Sequence, residues 1–214
     1  MLERLCATLA PDETERMRRF YFPIHRGRFG AGRGTLRAII GAYLDVPAAR
    51  LVFSYNEYGR PALAGEYAGA LSFNLSHSGS AALLAVTQSR EVGVDIEEYD
   101  PTKGDAAVAE NYFSPAEVAS FRAVPHPLQA RAFLNCWTRK ESYIKAQGMG
   151  LSLPLDSFDV ALTPGEPAAL LRTAEPGDRL KWRLCDLGLG DAYVGALTAA
   201  GRDWTFAIRR WPIA

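Results

Sequence analysis

Trp137-Thr138-Arg139-Lys140-Glu141-Ser142-Tyr143-Ile144-Lys145 decides how this chain is read, and its pattern predicts part of a long helix over 128–147. On a helical wheel Phe133, Trp137 and Ile144 share one apolar stripe, Lys140 falls inside that stripe, and Glu141 and Lys145 flank it at i, i+4 spacing. Gly148-Met149-Gly150 ends the helix, because glycine readily takes the left-handed backbone of a C-terminal cap. Upstream, Gly93-Val94-Asp95-Ile96-Glu97 reads as a strand. Side chains alternate along a strand, so Asp95 and Glu97 project to one face and Val94 and Ile96 to the other. Brought together, strand and helix surround one point with three carboxylates, Asp95, Glu97 and Glu141, and set the Lys145 ammonium beside them. Three carboxylates that close must bind a cation or raise one another's pKa values. An all-oxygen set suits Mg²⁺, with Mn²⁺ as the alternative ion, and the lysine suits a phosphorylated ligand.

Each element also has a plainer reading. Taken alone, Glu141 and Lys145 are a surface ion pair worth a few tenths of a kcal/mol, about 0.3. Asp95 and Glu97 alone are the exposed face of an edge strand. Lys140 inside an apolar stripe is harder to assign to solvent.

Outward from these two elements, residues 1–22 read as helical, with Pro11-Asp12-Glu13-Thr14-Glu15 as a start signal, and Gly32 to Leu44 reads as a second helix with Leu36, Ile39, Ile40, Tyr43 and Leu44 on one stripe. Val52–Tyr55 and Leu71–Leu75 read as strands around the turn Tyr58-Gly59-Arg60-Pro61, and Ser76-His77-Ser78-Gly79-Ser80 as a loop. Ala81–Val86 reads as a strand joined by a hairpin at Gln88–Glu91 to the strand Val92–Glu97. Asp100–Gly104 is rich in turn residues and marks the expected boundary between two halves, 1–100 and 101–214. Helices follow near 105–112 and 115–123, the second opened by Ser114-Pro115-Ala116-Glu117 as a capping box with proline at the first helical position. Strands are expected at 158–162, 180–186, 192–199 and 204–209. Each half thus mixes helices with short, mostly antiparallel strands, an α+β make-up.

With 214 residues, 48% apolar and 22% charged, the chain can bury a sizeable core as one large domain or two lobes. Zero net charge supplies no global field for nucleic acid or an anionic membrane. No apolar run approaches the about 20 residues that span a bilayer, and the N-terminus carries no signal-peptide pattern, so the cytoplasm is the expected compartment. Cys6, Cys136 and Cys185 form no CxxC pair, which argues against a structural zinc or a disulfide scaffold; Cys136 reads as core. His25 and His126 lack partners at ligand spacing and read as loop or surface residues. Arg16, Arg18, Arg19, Arg26, Arg28, Arg33 and Arg37 form a basic run with no acid among them. Ser76-His77-Ser78-Gly79 follows a strand and either offers hydroxyl, imidazole and backbone N–H groups to a phosphate or is only a turn; Ser76 and His77, as neighbours in sequence, make a poor nucleophile–base pair.

Phe73-Asn74-Leu75-Ser76-His77-Ser78, Gly93-Val94-Asp95-Ile96-Glu97 and the block from Phe133 through Val160 together resemble the 4′-phosphopantetheinyl transferases of the surfactin-synthetase-activating type. The third block is the most specific, carrying W-x-x-K-E-[SA]-x-x-K followed by Gly148-Met149-Gly150-Leu151-Ser152-Leu153-Pro154-Leu155. Tyr58-Gly59-Arg60-Pro61 and Tyr112-Phe113-Ser114-Pro115-Ala116-Glu117 resemble further family segments.

The resemblance implies two similar α/β lobes in a pseudo-twofold pseudodimer, with the active site between them. It implies transfer of the phosphopantetheine arm of coenzyme A to a serine of an apo acyl, aryl or peptidyl carrier protein by a monomer, with adenosine 3′,5′-bisphosphate released. By that resemblance Asp95, Glu97 and Glu141 hold Mg²⁺, and Glu141 also takes the proton of the carrier serine, directly or through water. Lys145 contacts the phosphates, Ser76 and His77 touch coenzyme A phosphates, Arg28 binds phosphate with Arg16 and Arg33 beside it, and Arg60 lies in the segment framing the adenine. The chain departs from the pattern in places. A strand and acidic loop usually precede the first basic helix, Glu13 stands where the family has a lysine, and Glu110-Asn111 where it often has a basic residue. Docking of the carrier is therefore expected to rest on apolar contacts from Tyr112, Phe113, Val118 and Phe121. The same carboxylates leave two other readings open: a Mg²⁺-dependent nucleotide phosphohydrolase, and a coenzyme A or carrier-binding module without catalysis.

Overall fold

In the computed structural model, which describes residues 1–102, 106–175 and 177–211, the chain divides into two compact units. The first comprises Met1–Ser54, Ala62–Gly69 and the described part of Thr205–Ala214; the second comprises Tyr55–Pro61 and Ala70–Trp204. The expected boundary at Asp100–Gly104 lies partly outside the described residues.

The first unit holds α1 (Leu2–Cys6), α2 (Pro11–Arg18), α3 (Pro23–Leu44) and most of the paired strands β1 (Val52–Tyr55) and β2 (Pro61–Ala64), of which Tyr55 and Pro61 are counted with the second. Helix α3 begins nine residues before the expected Gly32 start. Its first twelve residues hold four glycines, which depress helix propensity. Packing compensates: a Cβ on Gly34 would stand 2.6 Å from Leu5 Cβ, so the bare backbone lets α1 lie directly on α3. Leu36, Ile40, Leu51 and Leu63 are buried here. Among them Arg37, fully buried, donates to Glu13 Oε2 (2.6 Å), Ala48 O (3.0 Å) and Leu51 O (2.9 Å). Glu13 is thus an internal counter-ion that also faces Arg33 at 3.4 Å.

The second unit contains β3 (Ser72–Ser78), β4 (Ala81–Thr87), β5 (Val92–Glu98), α4 (Ala106–Tyr112), α5 (Pro115–Ala123), α6 (His126–Gln147), β6 (Asp159–Val160), β7 (Leu170–Arg172), α7 (Asp178–Lys181), β8 (Trp182–Asp186) and β9 (Tyr193–Ala200). Strand β3 runs on through Ser76-His77-Ser78, so the expected loop there shrinks to the turn at Gly79-Ser80. Strand β4 pairs with β3 and β5 pairs antiparallel with β9, in the order β5-β9-β8; the expected hairpin joins β4 and β5 in sequence without pairing them. Residues 178–181 are a helical turn, and 204–209 form no strand among the described residues.

Helix α6 lies on the face of β5 and β9 that carries Gly93, Asp95 and Thr198. Ser142 Oγ meets Thr198 Oγ1 at 2.8 Å beneath it. On the opposite face Val92, Val94, Leu197 and Ala199 pack with Leu83 and Ala85. The expected stripe of α6 is in the core with Phe113, Phe121, Tyr143 and Phe158, and Gly148 caps the helix with φ 70°. Lys140 does not reach solvent at all. Its ammonium donates to Leu155 O and Phe158 O, both at 2.6 Å, and pairs with Glu117 Oε2 at 2.8 Å. Glu117 closes the predicted capping box with Ser114 and accepts Val160 N at 2.8 Å. One buried ion pair therefore ties α5, α6, β6 and the segment before it. Phe113 and Phe121, expected at a docking surface, are 4% and 2% exposed and belong to this core instead; Tyr112 is half exposed and packs edge-on against Trp137.

Candidate active site

Strand alternation delivers Asp95 to the face of β5 that α6 covers, and the helix delivers Lys145 to the same place. Lys145 Nζ lies 2.5 Å from Asp95 Oδ1 and donates to Ser76 Oγ at 3.1 Å; Ser76 Oγ donates to Asp95 Oδ1 at 2.7 Å. This three-way junction of β3, β5 and α6 is mostly buried, with the Asp95 side chain 4% and the Lys145 side chain 26% exposed. Asp95 Oδ2 is buried and makes no hydrogen bond among the described residues. An orphaned carboxylate oxygen inside a protein is costly and points to a missing partner.

Burial pushes the Asp95 carboxyl above the usual carboxylate range, more than the Lys145 ammonium and the bonds from Lys145 and Ser76 pull it down; Glu97 adds to the rise. Glu141 is also raised, first by burial and then by the charges of Asp95 and Glu97, against the pull of Lys145. These mutual effects put the three carboxylates within electrostatic reach of one another. Glu97 is engaged separately, accepting Ser78 Oγ at 2.8 Å. Among the described residues no three acidic, histidine or cysteine side chains stand close enough as they are to hold a metal ion. The donor chemistry nevertheless fits a hard divalent cation: oxygen ligands, an unpartnered oxygen on Asp95, and carboxylates whose ionisation a cation would relieve.

Of the other expected residues, His77 sits on β3 next to Ser76 and is exposed. Arg60 is turned inward, donating through Nη1 to Ala146 O (3.1 Å) and through Nη2 to Val92 O (3.0 Å). Arg16, Arg28 and Arg33 belong to the first unit. Arg28 is exposed on α3, Arg16 lies over the Phe29 ring, and Arg33 faces Glu13 and Phe53. The basic run is thus partly neutralised from α2, since Arg33 and Arg37 meet Glu13 and Arg19 meets Glu15.

The support that β3 gives to β5 through Asn74 and Ser78 was not expected from sequence. Asn74 Oδ1 accepts Val94 N at 2.8 Å, and Ser78 Oγ both donates to Glu97 and accepts Glu98 N at 3.0 Å. Asn74, Ser76 and Ser78 share one face of β3, and together they satisfy β5 by side chains where β3 offers it no strand pairing. The period-2 run of polar residues was the available signal.

Residues 91–198 match the model of the 4′-phosphopantetheinyl transferase superfamily, and residues 1–89 match that of the 4′-phosphopantetheinyl transferase N-terminal region. The chain belongs to the 4′-phosphopantetheinyl transferase superfamily and is an enzyme of that type. It is 43% identical over 204 residues to the 4′-phosphopantetheinyl transferase HetI of Nostoc sp., covering 95% of this chain and 83% of that protein. With the 4′-phosphopantetheinyl transferase Sfp of Bacillus subtilis it shares 35% identity over 160 residues, 75% of this chain and 69% of the relative. Among solved structures, the holo-[acyl-carrier-protein] synthase of Thermotoga maritima is 19% identical with a TM-score of 0.41, over 52% of this chain and 63% of that one. No helix of the described residues is long and apolar enough to cross a membrane.

Proposed function

We propose that this enzyme transfers the 4′-phosphopantetheine arm of coenzyme A to a serine hydroxyl of an apo carrier protein and releases adenosine 3′,5′-bisphosphate, in a Mg²⁺-dependent reaction. The observation that carries the reading is the buried Asp95–Ser76–Lys145 junction with an orphaned Asp95 oxygen and Glu141 beside it. Asp95, Glu97 and Glu141 are the residues that would hold the ion. Bound there, Mg²⁺ would neutralise charge on the pyrophosphate of coenzyme A, with Mn²⁺ as a substitute.

The chain's own groups supply the rest. Glu141 takes the proton of the attacking serine, directly or through a water, and its raised pKa favours that work over a fully ionised surface carboxylate. The serine oxygen bonds to the β-phosphorus as the bond to the bisphosphate leaving group breaks. Lys145, already hydrogen-bonded in the junction, holds phosphate oxygens and stabilises or protonates the departing bisphosphate. Ser76 and His77 bind phosphate from β3; Arg28, with Arg16 and Arg33, supplies guanidinium forks for the remaining phosphate charge; Arg60 lies in the adenine-framing turn.

As a division of labour, we assign coenzyme A binding and the metal strand to 1–100, and the Glu141/Lys145 helix and carrier docking to 101–214, two lobes of a pseudo-twofold design. The enzyme on this reading is a cytoplasmic monomer serving acyl, aryl or peptidyl carriers of fatty acid, polyketide or nonribosomal peptide synthesis. The test is the intact mass of an apo carrier protein after incubation with the enzyme, coenzyme A and Mg²⁺. A phosphopantetheine-sized gain is expected, and Asp95→Ala and Glu141→Ala should each abolish it in folded protein. Phosphate or nucleotide release without a mass gain would establish hydrolysis instead, and normal turnover in either variant would overturn the metal assignment.

A further inference from the structure

The turn Asn56–Arg60 clasps the end of α6. Asn56 Oδ1 accepts Tyr58 N (3.0 Å) and Arg60 N (2.8 Å), which fixes the turn, while Asn56 Nδ2 donates to Gly148 O at 2.8 Å. Arg60 then reaches Ala146 O on α6 and Val92 O on β5 with two arms of one guanidinium. Terminal helix carbonyls lack partners within the helix, and the negative end of the helix dipole favours a cation. The carbonyls chosen are informative. Ala146 follows Lys145 directly, and Val92 begins the strand that carries Asp95. Between them β5 and α6 are as close as backbones can come, since a Cβ on Gly93 would stand 2.1 Å from Ser142 O and 2.2 Å from Ala146 N.

We propose that Arg60 is a positioning residue of the transfer reaction, a latch that clamps the last turn of α6 to the start of β5 and so fixes Lys145 against Asp95. This rests on the reading of that pair as part of the transferase site. It goes beyond a role for the segment in framing adenine, because the fork is engaged by main-chain carbonyls of the two elements that carry the site. A planar guanidinium reaches two carbonyls in fixed directions from two separate nitrogens, whereas a lysine ammonium would have to serve both from a single nitrogen.

The test uses the full chain with Arg60→Met and Arg60→Lys. Steady-state transfer to an apo carrier protein, calorimetric affinity for coenzyme A, and amide hydrogen exchange at the end of α6 are measured together. Misplacement of a positioned group by about an ångström costs on the order of 100-fold in rate. Arg60→Met is therefore expected to lower kcat by roughly 10- to 100-fold, with a smaller loss of coenzyme A affinity than of kcat. Exchange in the last turn of α6 should quicken about tenfold or more as that turn frays, and Arg60→Lys should recover part of kcat. Weakened coenzyme A binding with kcat unchanged would make Arg60 a ligand contact and overturn the proposal, as would unchanged kcat and exchange. Should Arg60→Met not fold, Asn56→Ala, which removes the bond to Gly148 O, is expected to shift kcat and exchange the same way by less, and no shift would count against the latch. Absence of transfer by the unsubstituted chain would instead sink the functional reading, with the exchange result still reporting on the clamp.

Discussion

Lys145 and Asp95 form a 2.5 Å ion pair across the packing of α6 on β5, and Ser76 hydrogen-bonds to both partners. The pair takes one oxygen of Asp95 and leaves the other buried without a partner among the described residues. On the proposed reading that oxygen is the one Asp95 would offer to a divalent cation, while Oδ1 and Ser76 fix Lys145 beside it.

The raised pKa of Glu141 has a signed consequence for stability. Its folded pKa exceeds the unfolded value, so the ionised form is disfavoured on folding. The contribution is fully present below the unfolded carboxylate pKa and is lost as pH rises through the folded one. Without metal, Glu141→Gln should therefore gain in Tm relative to the parent as pH rises from the ordinary carboxylate range, about 4, through the raised folded value. Excess Mg²⁺ should raise the parent's Tm more than the variant's. A pH-independent difference between the two proteins would remove the carboxylate strain from the account.

Buried Lys140 and Glu117 predict a coupled pair. Lys140→Met leaves an uncompensated carboxylate in the core and should cost about 3–5 kcal/mol in urea unfolding. Adding Glu117→Gln removes the stranded charge and keeps one of the two oxygens that accept Val160 N and Ser114 N, so the double change should cost clearly less than the sum of the single changes. Strict additivity would mean that the two charges do not depend on each other.

Phe113 and Phe121 lie in the core, so Phe113→Ala and Phe121→Ala should each destabilise by about 3–5 kcal/mol. In the folded fraction, the KM for carrier protein should stay near the parent's. A raised KM with unchanged stability would return both rings to the docking surface.

The second half of the chain was largely legible from sequence, since α5, α6 and their caps follow from periodicity, Ser114 and Gly148, which are local signals. What was not legible is non-local. Nothing near Val92 announces that β5 pairs with β9 a hundred residues on, because strand periodicity gives a face and not a partner. The α3 start was hidden by glycines whose reason is α1 lying on them. At the site, Asp95 and Lys145 were foreseen together, while the main-chain partners of Arg60 were not foreseen, since no local pattern shows a guanidinium turned toward two distant carbonyls. Lys140 is the instructive middle case: its place in the apolar stripe was visible, but its partners lie on α5 and in the segment after α6.

Gly93 sets the distance between β5 and α6 on which the Lys145–Asp95 pair depends. A Cβ there would overlap Ser142 O and Ala146 N, both backbone atoms held by helix hydrogen bonds, so neither can rotate away as a side chain would. Gly93→Ala must push the helix off the strand or bend the strand, and overpacking of this kind costs about 3 kcal/mol. Gly188, where a Cβ would meet nothing within 4 Å, provides the control: Gly188→Ala should stay within about 0.5 kcal/mol of the parent. The displacement in Gly93→Ala also lengthens the Lys145–Asp95 contact, so transfer should fall further than the lost folded fraction explains. Urea unfolding of both variants, with transfer rates normalised to folded protein, checks the two effects separately. Near-parental stability for Gly93→Ala would show that the helix and strand have slack, and the close-packing account of the site would fail.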